Sequence, residues 1–133
     1  MKKRNLIMVM VFGMMFLCTC KNQWIGKPDC IGNIRVDNDY MLQIVANRYK
    51  IKDEEEFAWE LFDMCRENSY RSILFSYDLE GYPNDLIMDI YWNEKDIEPF
   101  MEIQFVSKEG LEECDITDGR ENYMLFINGK RIE

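Results

Sequence analysis

From Tyr70 to the end of the chain, apolar side chains return at every second position. Ile73, Phe75 and Tyr77 form one such set, Leu86, Met88, Ile90 and Trp92 a second, and Met101, Ile103 and Phe105 a third. A period of two puts each set on one face of a strand, and the intervening Asp89, Tyr91, Glu102 and Gln104 on the other. The runs are separated by turn chemistry: Asp78 to Asn84 with Gly81 and Pro83, then Asn93 to Asp96. Gly110 and Thr117-Asp118-Gly119 bracket a weaker candidate around Cys114 and Ile116, after which Tyr123 to Ile127 reads as strand. Asn128-Gly129 then predicts a tight hairpin that folds Lys130 to Ile132 back on that strand, because both residue types accept the positive φ such a turn needs.

Upstream the spacing is that of a helix. Leu42, Val45, Ala46 and Tyr49, widened by Met41 and Ile44, share one helical face over Tyr40 to Lys50, with Asn38 or Asp39 as N-cap. A second helix begins at Asp53, with Glu56 placed for a capping box, buries Phe57, Ala58, Leu61, Phe62 and Cys65, and stops near Asn68. Lys21 to Asp39, rich in Gly, Asn and Asp, reads as a tether ending in a short edge strand. The expected fold is therefore α+β, with two N-terminal helices packed on one face of an antiparallel meander of four to six strands, a two-layer sandwich. The expected division is a signal peptide over 1–19, a tether over 20–38 and one domain over 39–133.

The first twenty residues change the picture of where this domain works. Lys2, Lys3 and Arg4 precede an uncharged apolar run from Leu6 to Leu17, and the segment closes on Cys18-Thr19-Cys20. Basic start, short apolar core and terminal cysteine are the parts of a bacterial export signal. Leu17-Cys18-Thr19-Cys20 resembles the lipobox of bacterial lipoproteins, with Thr19 where that family has Gly, Ala or Ser. The resemblance covers the leader alone and implies that Cys20 is lipidated and becomes the mature N-terminus, anchoring the protein to the membrane of the cell envelope, outside the cytoplasm. Plain secretion and an uncleaved anchor are the competing readings. The order helix, helix, sheet is also similar to that of small envelope lipoproteins of the outer-membrane assembly-factor and β-lactamase-inhibitor-like group, which implies protein binding.

Charge narrows the partners. Without the three leading basic residues, 13 Lys and Arg stand against 25 Asp and Glu, a formal charge of about −12. Such a surface repels nucleic acid and anionic lipid headgroups, and suits basic partners, cations or simply a well-solvated exported domain. The chain has no histidine and no CxxC pair, which removes His-based triads, zincin motifs and thioredoxin-like redox chemistry. No cofactor, metal or catalytic group is expected, and the chain does not read as an enzyme. Of the five cysteines, Cys65 reads as a buried small hydrophobe, while Cys30 and Cys114 form a candidate disulfide in an oxidising envelope.

Three sets of residues carry weaker chemistry. Asp115, Thr117, Asp118 and Glu121 around Gly119 miss the spacing of a calcium loop and read as a solvated turn. Asp89 and Glu102, on adjacent strands, form a candidate carboxylate pair. Trp59 falls at the edge of the second helix's buried face beside Glu55, Glu56 and Glu60, which reads either as a packing tryptophan or as an aromatic anchor with an acidic rim for a basic partner. The leading function is a non-catalytic, lipid-anchored binding module. The alternatives are an inhibitor or immunity-type protein that meets a basic toxin or enzyme, and a hydrolase or ligand carrier with a cleft beside the loop Asp78 to Asp85.

Overall fold

The computed structural model describes residues 26–108 and 114–133; Cys20 and the whole leader lie outside them. One six-stranded sheet runs in the order β1-β2-β3-β4-β5-β6, with β1 at Asp29–Val36, β2 at Asp39–Val45, β3 at Leu86–Tyr91, β4 at Met101–Ser107, β5 at Tyr123–Ile127 and β6 at Lys130–Ile132. Helix α1, Glu54–Glu67, follows β2, and a single turn of helix, α2, spans Tyr77–Glu80. The strands pair antiparallel except β2 and β3, which run parallel in the register Tyr40↔Leu86 to Val45↔Tyr91. A parallel pair needs a crossover of a dozen or more residues, and α1 supplies it as the helix of a β-α-β unit.

This overturns the expected arrangement of two N-terminal helices on an antiparallel meander. The stretch Tyr40 to Lys50 is not a helix: its first six residues complete β2, with Tyr40, Leu42 and Ile44 buried beneath α1 and Met41 and Gln43 exposed. Those residues satisfy both periods, and pairing with β1 and β3 decides between them. The hairpin that begins the sheet turns at Asp37, which adopts φ 54°, so β1 falls inside the stretch expected to be tether. With the first helix gone, the order helix, helix, sheet disappears, and with it the likeness to the assembly-factor group.

The second expected helix stands. Asp53 accepts from the Glu56 N–H at 3.1 Å, three glutamates occupy the first turn, and Asn68 ends the helix in the left-handed region at φ 58°. The Asn68 side chain then brackets the next segment, donating to the Phe75 carbonyl and accepting from the Phe75 N–H, both at 2.8 Å. That clamp, with the Tyr70 hydroxyl donating to Leu61 O at 2.8 Å, holds residues 69–76 as an ordered loop where alternation predicted a strand.

The core is a single layer between α1 and one sheet face. Phe57, Ala58, Leu61, Phe62 and Cys65 of the helix belong to one cluster with Leu86, Met88, Ile90, Met101, Ile103, Phe105, Tyr123, Leu125 and Ile127. Phe62 lies at its centre, its ring 4.9 Å from Phe105 and 5.2 Å from Tyr123. The other face of the sheet has no element over it among the described residues and mixes exposed Ile34, Val36 and Met41 with Gln43, Asp89, Glu102 and Gln104.

Cys30 and Cys114 are free thiols, not a bridge. Cys30 faces Ile44 near the carboxyl end of β2. Cys114 precedes Ile116, whose N–H donates to Pro83 O at 3.1 Å, at the opposite end of the sheet where β3 begins beside Tyr40. Ile44 and Tyr40 alone are about 13 Å apart along an extended strand, and a disulfide needs its two Cα atoms within about 7 Å.

Candidate functional site

Two depressions bear on function, one along α1 and one beyond the ends of the parallel strands. The first lies on the outer face of α1, about 660 Å³, lined by Asp53, Glu55, Glu56, Glu60, Asp63 and Glu67 with Trp59, Met64 and Arg120. Helical geometry explains the assembly: residues three and four apart stack along one face, so the sequence that buries Phe57, Leu61 and Phe62 turns its carboxylates outward. The structure therefore brings together Glu55, Glu56, Glu60 and Trp59, the residues read as a partner-binding set.

It gives them different tasks. Trp59 packs inward, edge-on to Phe62 at 5.3 Å and 5.0 Å from the Phe105 ring. Its outer surface is covered by Arg120, whose guanidinium carbon lies 5.6 Å over the ring while its nitrogens pair with Asp63. Glu60 is engaged by Arg48 at 3.2 Å. Glu55 and Glu56 are the exposed members of the set, so the aromatic is a packing tryptophan and the acidic rim is what reaches solvent.

The second depression, about 780 Å³, was not legible in the sequence. It lies where β2 and β3 end side by side. Asn47, Arg48 and Tyr49 follow the carboxyl end of β2; Trp92, Asn93 and Asp96 follow that of β3; Arg71 arrives from the loop after α1. The carboxyl end of parallel strands is a recurring place for ligands, because both chains turn away there and leave a crevice between their loops. The loops are built firmly. Ala46 N–H donates to Tyr91 O at 2.8 Å, and Asn47, at φ 56°, donates from its side chain to Lys27 O at 3.0 Å. Asn93 N–H donates to the Asp96 carboxylate at 3.1 Å, and Trp92 stacks flat on Phe100 with centroids 3.9 Å apart. Arg48 donates to Gly26 O, pairs with Glu60, lies 4.9 Å over the Phe57 ring and keeps a buried Nε with no partner among the described residues. An unmet buried donor costs about 1–3 kcal/mol.

The remaining candidates are placed as follows. Asp89 and Glu102 stand directly opposite each other across β3 and β4 on the uncovered face, and Glu102 accepts from Gln104 at 3.0 Å. Asp115 and Asp118 cap a short 3-10 turn reciprocally, Asp115 accepting from Thr117 N–H at 2.8 Å and Asp118 from Asp115 N–H at 2.9 Å. The loop Asp78 to Asp85 sits at the amino ends of β2 and β3, where Asn84 N–H donates to Asn38 O at 2.7 Å, so the larger depression is at the end opposite the one expected for a cleft. Burial pushes the thiols of Cys30 and Cys65 up to about 12, which keeps both protonated and unreactive at neutral pH. Comparison with known proteins finds no matching family model, no curated relative and no solved structure.

Proposed function

We propose that this chain is a small lipid-anchored protein of a bacterial envelope, held outside the cytoplasm by a lipid on Cys20, whose folded domain binds a basic protein partner and performs no catalysis. The observation that carries the partner reading is the outer face of α1, where six carboxylates share one depression with a single cation, Arg120, already paired to Asp63. Charge of one sign concentrated on a face raises the encounter rate with an oppositely charged partner and repels like-charged ones. The leader supports the anchor, through Lys2-Lys3-Arg4, the apolar run and Leu17 three residues before Cys20.

The test has two arms. Mass spectrometry of the mature protein from a bacterial host should find a blocked, lipid-bearing Cys20, and Cys20→Ser should leave the protein unprocessed; an intact Met1 terminus in the wild type would end the anchor reading. The mature protein, immobilised, should then capture a basic protein from envelope extract at low salt and release it as salt rises. The double variant Glu55→Lys, Glu56→Lys should weaken that capture by about tenfold or more, since rim charges act chiefly on association. Equal capture by wild type and variant would remove α1 as the docking face.

A further inference from the structure

We propose that the depression at the carboxyl ends of β2 and β3 is a saccharide-binding site, a second site separate from the acidic face of α1. A sugar ring asks for two things at once: a flat apolar surface for its C–H face and a mixture of donors and acceptors for hydroxyls that are both. The lining supplies each. Trp92 is held rigid by its stack on Phe100 and lines the depression, and Tyr49, fully exposed, stands at its margin. A rigid aromatic such as Trp92 offers large contact area with little loss of conformational freedom.

The polar groups are of both signs and neither. Arg48 and Arg71 are donors only, the Asp96 carboxylate is an acceptor only, and the side-chain amide of Asn93 is both. A simple anion meets guanidiniums already paired, Arg48 with Glu60 at 3.2 Å and Arg71 with Asp29 at 4.0 Å, and is repelled by Asp96, while a simple cation is repelled by both guanidiniums. A polyhydroxyl ring satisfies all three kinds of group. The volume of about 780 Å³ lies within the range of small-molecule sites, about 300–1,000 Å³. The supporting shell is in place, since Asp96 is fixed by Asn93 N–H at 3.1 Å and Arg48 by Gly26 and Glu60.

Calorimetric titration of the full-length chain, in a detergent without a sugar headgroup, against maltose, cellobiose and N,N′-diacetylchitobiose tests the site, with benzoate as the anionic control. At least one disaccharide should bind saturably with Kd below about 5 mM, and benzoate at least tenfold more weakly. Tyr49→Ala and Arg71→Gln should each weaken the disaccharide fivefold or more. Trp92→Ala should abolish binding, and if that variant fails to fold, the exposed Tyr49 decides the matter. Binding of the matching hexasaccharide at least tenfold tighter than the disaccharide would identify a glycan chain as the source, and equal affinity a free sugar. No disaccharide bound below that concentration, benzoate bound as tightly as any sugar, or affinity untouched by both Tyr49→Ala and Arg71→Gln would overturn the proposal. Glu55→Lys with Glu56→Lys should leave sugar binding unchanged, which keeps this site's outcome apart from that of the acidic face.

Discussion

Removing the hydroxyl of Tyr40 should make the protein more stable, and removing that of Tyr70 less. Both side chains are buried in the same core, Tyr40 1% and Tyr70 5% exposed. The Tyr70 hydroxyl donates to Leu61 O at 2.8 Å, whereas the Tyr40 hydroxyl has no partner among the described residues. A buried hydroxyl without a partner costs about 1–3 kcal/mol of desolvation, and a made hydrogen bond is worth about 0.5–1.5 kcal/mol net. Tyr40→Phe keeps the ring against Phe75, 5.4 Å away, and gives up only the dispersion contacts of one oxygen, about 0.1–0.2 kcal/mol each. The expected gain is therefore about 1 kcal/mol, or about 5 °C in Tm for a domain of this size. Tyr70→Phe should lose about 1 kcal/mol, leaving the two variants about 2 kcal/mol apart for the same change of one atom. Urea unfolding followed by far-ultraviolet circular dichroism measures this, with unchanged m-values showing that the midpoint shift is a stability shift. If Tyr40→Phe unfolds at or below the parent midpoint, or the two variants move in the same direction, the hydrogen-bond argument fails.

Three further expectations are open to the same assay. Leu61→Ala and Ile90→Ala, both fully buried, should each lose about 2–4 kcal/mol, because each leaves a cavity between α1 and the sheet; a change under about 0.5 kcal/mol would place the residue outside the core. Trp59→Ala should lower Tm by several degrees, since the ring packs on Phe62 and Phe105, and an unchanged Tm with lost partner binding would instead make it the docking anchor. Stability should fall in alkali: Cys30 and Cys65 are raised by burial from 9.0 to about 12, so the folded state keeps protons that the unfolded state has lost. That contribution is complete below pH 9 and disappears as pH rises from about 9 to 12, with the raised hydroxyls of Tyr70 and Tyr123 acting in the same direction above 10. A urea midpoint that holds level between pH 8 and 10.5 would contradict it.

What the sequence revealed and what it hid divide along a physical line. Helix α1 was legible because its cap, its buried spacing and its stop are all local, at Asp53, at Phe57 to Cys65 and at Asn68. So were β3 and β4, whose alternation matches their burial, and the Asn128-Gly129 turn, with φ of 51° and 79°. β2 was missed because Tyr40 to Ala46 fits two periods and only its neighbours choose between them. β1 was legible only as a short edge strand at the end of the tether, because Asn33 to Val36 are all exposed at the sheet edge, where burial imposes no alternation. The larger depression joins residues 47–49, 71, 92, 93 and 96, and that juxtaposition exists only once β2 and β3 are known to lie parallel.

The parallel pairing of β2 with β3 also sets the pace at which the chain finds its fold. The β1–β2 hairpin turns within two residues, and β5–β6 is equally local, so each can form as soon as its turn does. Tyr40 must find Leu86 across the whole of α1 and the loop that follows, a closure whose entropy is lost before any pairing compensates it. Refolding should therefore be limited by the meeting of a preformed hairpin and α1 with the β3 to β6 ribbon, with the contacts of Leu42 and Met88 formed at the barrier and those of β6 formed early.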